Sequence, residues 1–244
     1  MNSTTRFGNR ADDYAKFRPS YPHEAVATIL DGFVNPVVAD LGAGTGISAQ
    51  LLIAAGATVY AIEPNAPMRA QIPPGDRLTI VDGTAEATTL PDRSVDVVTA
   101  FQAYHWFDHP RTLAEAARIG RRPMRFAAVW NERDDRDAFT AAYSAVIRKY
   151  FLDDTEARRR GNAVESDLRG AGFGNVRCLR FENAQGLDWP ALIGRTRSAS
   201  YLPKDGPGYE AMSEELRALY DRAAEYGGAR FVLETTVYAG ELLA

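Results

Sequence analysis

An apolar run that breaks into glycines at alternate positions constrains this chain more than any other feature. Val37-Val38-Ala39-Asp40-Leu41 leads into Gly42-Ala43-Gly44-Thr45-Gly46, and the next apolar run ends at Glu63. Glycine lacks Cβ, so a turn built from it can tighten and a ligand can approach the main chain closely. The free N–H groups of a helix that follows such a turn favour polar or anionic ligand atoms. A carboxylate at the end of the second strand offers two acceptor oxygens, matching a pair of ribose hydroxyls. The pattern points to a nucleoside-cofactor site and leaves the cofactor open.

Counting glycines does not close that question. The nicotinamide fingerprint needs G-x-G-x-x-G or G-x-G-x-x-A. Starting at Gly42 the match fails at Ile47; starting at Gly44, Gly46 and Ala49 fit, with Glu63 19 residues after Gly44. An NAD(P)-dependent oxidoreductase is therefore the alternative reading. Against it, the chain has no Tyr-x-x-x-Lys pair of the kind one large dehydrogenase family uses, since Tyr143 is followed at that spacing by Ile147. What separates the readings is Asp40 before the turn, together with a second set of motifs. These are Asp82-Gly83-Thr84-Ala85-Glu86, then Leu90-Pro91-Asp92-Arg93-Ser94-Val95-Asp96-Val97-Val98, then Gln102-Ala103-Tyr104-His105-Trp106-Phe107.

The hydrophobic pattern predicts helices over 23–32, 48–55, 66–72 and 110–119, interleaved with strands over 37–41, 58–63, 78–82, 95–101 and 125–130. The 95–101 run is almost wholly apolar, as a parallel strand covered on both faces should be. Alternation of this kind implies a doubly wound parallel sheet. The glycine turn, Glu63, Asp82–Ala85 and Gln102–Trp106 all follow strands, so they converge on one edge of it, where ligands of such sheets bind. Beyond 130, helices are expected over 138–150, 164–171, 189–200 and 209–224, and strands over 176–182 and 231–239. Residues 154–162 are charged and read as a mobile stretch.

With these motifs in order, the chain resembles the class I S-adenosylmethionine-dependent methyltransferases, in their small-molecule branch. The pattern runs D-x-G-x-G-T-G, an acid at the second strand, G-x-A-E followed by L-P, S-x-D-x-V and an H-W pair, over roughly residues 7–130. The opening Tyr14-Ala-Lys-Phe-Arg18-Pro19-Ser-Tyr21-Pro22 is similar to the leader of a subgroup that includes enzymes methylating small carboxylic acids. The resemblance implies an α/β, Rossmann-like seven-stranded sheet of order 3-2-1-4-5-7-6, its seventh strand antiparallel, with helical lid insertions over 134–162 and 187–224. It implies one domain over 1–244: an arm or lid at 1–22, a cofactor-binding core at 23–130, a helical acceptor-binding part at 131–230 and a final strand at 231–244. It also implies methyl transfer from S-adenosylmethionine, leaving S-adenosylhomocysteine, to an O or N atom of a small molecule. A protein that binds the cofactor without catalysis is a further alternative.

Residue roles follow from that resemblance. Gly42, Ala43, Gly44 and Gly46 are expected against the methionine part. Asp40 is expected either near the cofactor ammonium or as a cap on the next helix. Glu63 is expected on the ribose with Pro64 beside it, Thr84 and Ala85 on adenine, and Glu86 as a loop brace. Gln102 is expected near the sulfur. Arg18 is expected to bind a carboxylate bidentately, the cofactor's or the acceptor's, and Tyr14 and Tyr21 to close over the cofactor. Tyr21, Trp106, Trp130 and Tyr201 are expected on the acceptor wall, with Asn131 and Tyr143 as further candidates. His105 is the one candidate base, with packing or orientation the preferred role, and His23 and His109 read as surface residues.

The bulk properties fit one soluble domain. The chain has 244 residues, 45% hydrophobic and 25% charged, enough for one good core. A net charge of −4 leaves no basic footprint for nucleic acid. Arg121-Arg122 and Arg158-Arg159-Arg160 read as solvated faces. The single cysteine, Cys178, excludes an intrachain disulfide and reads as a buried strand residue. Three scattered histidines give no metal spacing. With no secretory h-region and no membrane-length apolar run, a cytoplasmic monomer or homodimer is expected. The aromatics and arginines over 131–230 suit a planar or acidic small molecule.

Overall fold

The computed structural model describes residues 18–152, 163–199, 201–225 and 228–243. Within them, seven strands form one sheet: β1 Val37–Leu41, β2 Thr58–Ile62, β3 Leu78–Val81, β4 Val95–Phe101, β5 Gly120–Arg133, β6 Gly174–Leu187 and β7 Ala229–Leu242. The order is 3-2-1-4-5-7-6, and β7 runs antiparallel to both neighbours. The helices are α1 His23–Leu30, α2 Ile47–Ala54, α3 Ala66–Arg69, α4 His109–Ile119, α5 Ala138–Arg148, α6 Val164–Gly170, α7 Trp189–Ser198 and α8 Gly206–Glu225. Tyr14 and the charged 154–162 stretch lie outside the described residues. No helix among the described residues is long and apolar enough to cross a membrane.

Alternation along the central strands explains the layering. Val98 and Ala100 on β4, with Phe126, Ala128 and Trp130 on β5, share one core with Leu113 and Ile119 of α4 and Leu168 of α6. Val97 on β4, with Ala127 and Val129 on β5, shares the other with Val26 and Ile29 of α1 and Leu52 of α2. A strand buried on both faces must be largely apolar on both, which is why β4 reads as a run broken only by Asp96 and Thr99. Four helices start where an Asx side chain accepts a backbone N–H of the first turn: Asn65 from Met68, Asp108 from Arg111, Asp137 from Thr140 and Asp188 from Ala191.

Strands β5, β6 and β7 run longer than their apolar segments. Asn131–Arg133 of β5 and Asn183–Leu187 of β6 are poor strand formers, yet both pair with the first residues of β7. This extension carries a third core in which Ile147 of α5, Leu192 of α7 and Leu216 of α8 close on Phe231. Each such fully buried side chain contributes about 1.5–3 kcal/mol, so these helices are packed onto the sheet rather than loosely laid over it. Cys178, expected to be buried, is only half-buried, because β6 is the edge strand and its burial alternates along its length. His109, expected at the surface, is half-buried at the start of α4, where Nδ1 lies 2.8 Å from Asp167 Oδ2 and the ring stacks on Tyr104 at 4.2 Å.

Asp40 is the polar centre of this framework. It is fully buried at the end of β1. Its Oδ2 accepts from Ser48 Oγ of α2 at 2.6 Å and its Oδ1 from Thr99 Oγ1 of β4 at 2.9 Å, so one carboxylate ties three elements. Burial pushes its pKa up to about 6, against the two hydroxyl bonds that pull it down. A carboxyl group whose folded pKa lies above its unfolded one holds extra protons when folded. Its contribution to stability is then complete at low pH and lost as pH rises through about 6. Asp40→Asn removes this loss, and both hydroxyls can reverse donor and acceptor roles to meet an amide. The variant should gain on the wild type between pH 4 and 7 by up to about 3 kcal/mol, read from urea unfolding across that range; a difference independent of pH would show that the buried charge is not costly.

Candidate cofactor and acceptor site

The glycine turn is left-handed at three positions, with φ of 67° at Gly42, 59° at Gly44 and 87° at Gly46. Two of these glycines are required by the protein's own packing. A Cβ on Gly42 would sit 2.8 Å from Ala103 Cβ, and one on Gly46 would sit 2.9 Å from Ile72 Cγ2. Gly44 differs: a Cβ there would meet only Met68 Cε, at an ordinary 3.7 Å. The space over Gly44 is therefore not filled by protein, and Gly44 lines a pocket at the carboxyl edge of the sheet.

Glu63 is fastened to this turn. Its Oε2 accepts the Gly44 N–H at 2.9 Å and its Oε1 the Asn65 N–H at 2.8 Å. Each oxygen keeps a second acceptor position, so the same carboxylate that pins the turn can still take two hydroxyls. Burial raises its pKa, against those two N–H bonds that lower it. Next to Gly44, Thr45 has a buried Oγ1 with no hydrogen-bond partner, in a side chain that lines the same pocket. A buried hydroxyl left this way costs about 1–3 kcal/mol unless a ligand satisfies it. The open position over Gly44, the spare acceptors of Glu63 and the unsatisfied Thr45 hydroxyl all fit a nucleoside-bearing amino acid such as S-adenosylmethionine.

Arg69 of α3 braces the same end of the sheet, donating to Glu63 O at 2.7 Å and to Asp82 Oδ2 at 2.8 Å. Beyond Asp82, Thr84 and Ala87 pair in a short turn with Ala85 buried in it. Glu86 accepts the Asp108 N–H at 2.9 Å, the bracing role expected of it. Ala87-Thr88-Thr89, between Glu86 and Leu90, are held down because Thr88 donates from both N and Oγ1 to Glu115 of α4.

On the other side of the turn, Gln102 ends β4 with φ 52°, an unusual conformation for a non-glycine residue. Its Nε2 donates to Asn131 O at 2.9 Å. Asn131 and Asn183 both donate to the Ser20 carbonyl, at 3.1 and 2.9 Å. This clamp lays residues 18–22 along the pocket, where Arg18 and Tyr21 line it and Tyr21 meets Phe101 edge-on at 4.7 Å. Arg195 of α7 completes the wall.

The structure thus brings Gly42, Ala43, Gly44, Gln102, Arg18 and Tyr21 to one pocket, with Glu63 bonded to its floor. Asp40 lies beneath it, enclosed by Ser48 and Thr99 rather than capping α2, whose N-cap is Gly46. Pro64, Thr84 and Ala85 sit at the ends of β2 and β3. Two further acceptor-wall candidates are not among this pocket's walls: Trp130 packs in the core on the sheet face covered by α4 and α6, and Tyr201 is buried in the helical core with Phe151, its hydroxyl accepting from Arg133 Nη1 at 3.3 Å. Trp106 is half-exposed beside His105 and not among the pocket's walls. The indole N–H of Trp130 donates to His105 Nδ1 at 3.3 Å. An indole N–H can only donate, so the neutral ring carries its proton on Nε2, an orientation suited to packing rather than to a general base.

Sequence reading missed Thr45, Phe101, Arg69 and Arg195. For Arg195 a signal existed: it follows Leu192 by three residues and so falls on the buried stripe of an amphipathic helix, an odd place for a guanidinium.

Comparison with known proteins agrees with this geometry. A methyltransferase-domain family model matches residues 39–124. An uncharacterized methyltransferase of Mycobacterium tuberculosis (strain H37Rv) is 42% identical over 199 residues, covering 80% of this chain and 76% of its own. Among solved structures, a candidate type II methyltransferase from Anaeromyxobacter dehalogenans superposes with a TM-score of 0.65 at 26% identity, over 93% of this chain and 99% of its own. A Haemonchus contortus phosphoethanolamine N-methyltransferase, solved with S-adenosylhomocysteine, shares the fold at a TM-score of 0.58 and 14% identity, over 99% of this chain and 58% of its own. With the sheet order and the glycine–glutamate turn, these similarities place the chain in the class I S-adenosylmethionine-dependent methyltransferases.

Proposed function

We propose that this protein binds S-adenosylmethionine over the Gly42–Gly46 turn and transfers its methyl group to an O or N atom of a small-molecule acceptor. The observation that carries this reading is the bond from the Gly44 N–H to Glu63, with open space above Gly44 and an unsatisfied Thr45 hydroxyl beside it. The cofactor would supply a methyl group already activated on a sulfonium. Glu63 would hold the ribose hydroxyls, the turn around Thr84 and Ala85 the base, and Thr45 the methionine end. On this reading the chain's task is positioning and exclusion of water. Gln102, fixed by Asn131, sets the wall of the transfer site, and the Arg18–Tyr21 segment covers it. Such alignment can supply about 7–11 kcal/mol of a barrier, so methyl transfer here needs no catalytic dyad. The same turn also fits the shorter nicotinamide count. The antiparallel β7 between β5 and β6 and the family membership favour the methyl-transfer reading over it.

Calorimetric titration tests the cofactor. Wild type should bind S-adenosylmethionine and S-adenosylhomocysteine at one site each. Glu63→Ala should weaken both at least about 100-fold, the loss of two hydrogen bonds to a charged group. Gly44→Val should abolish binding, because valine strains the left-handed turn and fills the space over it. Tight binding retained in both variants would sink the assignment. A milder variant tests the clamp on the arm: Asn183→Ala should speed amide hydrogen exchange over residues 18–22 and weaken S-adenosylhomocysteine by about 1 kcal/mol, roughly fivefold; unchanged exchange there would mean the Ser20 clamp does not hold the arm.

A further inference from the structure

Arg195 is the one pocket wall that the cofactor reading leaves unexplained. Its α7 neighbours Leu192 and Thr196 are fully buried, while Arg195 itself is half-buried, with its side chain lining the pocket. Its contacts are a hydrogen bond from Nη1 to Gln185 Oε1 at 3.0 Å and the Phe231 ring, 4.7 Å from the guanidinium carbon. Among the described residues no carboxylate pairs with it. Taking a cation even partly out of water without an anion is costly, and folded proteins rarely keep one that way without use. The neighbourhood adds to the cost. Burial, helped by the nearby Arg18 and Arg133 guanidiniums, pulls its pKa down to about 10, opposed only by the Tyr143 and Tyr201 hydroxyls.

Its place along the sheet edge says which ligand it meets. In the order 3-2-1-4-5-7-6, Glu63 follows β2, the glycine turn follows β1 and Gln102 follows β4. Arg195 is held beyond these, by Gln185 of β6 and Phe231 of β7. A cofactor with its ribose on Glu63 and its methionine end over the turn leaves the β5–β6 side to the acceptor. Resting on the methyl-transfer reading for that layout, we propose that Arg195 is the anchor for a carboxylate of the acceptor, and hence that the acceptor is a small carboxylic acid. A guanidinium fork meets a carboxylate through two parallel N–H bonds, which fixes both position and orientation.

The test needs no knowledge of the natural acceptor. Acetate and benzoate are titrated into the protein saturated with S-adenosylhomocysteine, beside acetamide and benzamide, with melting temperature and ligand-observed NMR as readouts. Both carboxylates should bind and raise the melting temperature, and neither amide should. Arg195→Met should be more stable than wild type without carboxylate, as expected when an unpaired charge kept for function at a cost in stability is removed. It should bind both carboxylates at least about tenfold more weakly, the loss of a charge-assisted bond, with S-adenosylhomocysteine affinity within about twofold of wild type. Arg195→Lys, which keeps the charge and loses the fork, should fall between them and serves if the methionine variant does not fold. Equal response to amides and acids, no carboxylate binding, or equal binding in wild type and variant would overturn the proposal. So would a variant that loses S-adenosylhomocysteine, since Arg195 would then hold the cofactor's own carboxylate. If wild type fails to bind S-adenosylhomocysteine, the methyl-transfer reading falls, and the dependence of carboxylate binding on Arg195 is read on the protein alone.

Discussion

A carboxylate bonded to the backbone of a left-handed turn is the contact on which the site depends. Glu63 reaches from the end of β2 to the Gly44 N–H and so fixes where the turn after β1 can lie. Beneath it, Asp40 draws β1, α2 and β4 together through two hydroxyls. Neither acid is cheap to bury, and both have pKa values raised by loss of water. The turn is thus held by two strained electrostatic choices, in keeping with a ligand site where stability is given up for geometry.

The two sides of this sheet edge are built by different means. On the side of β2 and β3 the positions are set by backbone: N–H groups on Glu63, a capped α3 and a short turn at Thr84. On the side of β4 to β6 they are set by side chains and by the arm, with Gln102, Asn131 and Asn183 locking one another and the Ser20 carbonyl. Backbone geometry suits a ligand that is always the same. Side chains carried on a separately packed helical layer can change without disturbing the sheet.

This division also explains what could be read from the chain. Strands β1 and β4 were legible to the residue, because a run apolar on both faces has one reading. The glycine turn, Glu63 and the order of motifs gave the site's floor and, with the family resemblance, the strand order. The polar ends of β5 and β6 were not legible, since Asn131–Arg133 and Asn183–Leu187 are strands only through pairing with β7. That the Trp130 and Tyr201 rings pack in cores was not legible, because composition cannot say which face of a strand or helix a ring occupies. Arg195 was hidden among many arginines, and only its position on a buried helical stripe distinguishes it from its exposed neighbour Arg197. The room that Gly42 and Gly46 make within the protein, for Ala103 and Ile72, was not legible from the glycine spacing.

The central claim is that Glu63, Gly44 and Thr45 form one cradle for S-adenosylmethionine. A crystal structure of the protein with S-adenosylhomocysteine tests it most directly. The account predicts both ribose hydroxyls on the Glu63 oxygens, the methionine part over Gly44, and a hydrogen bond from the ligand to Thr45 Oγ1. A ligand bound elsewhere, or one that leaves the Glu63 oxygens and the Thr45 hydroxyl untouched, would contradict it.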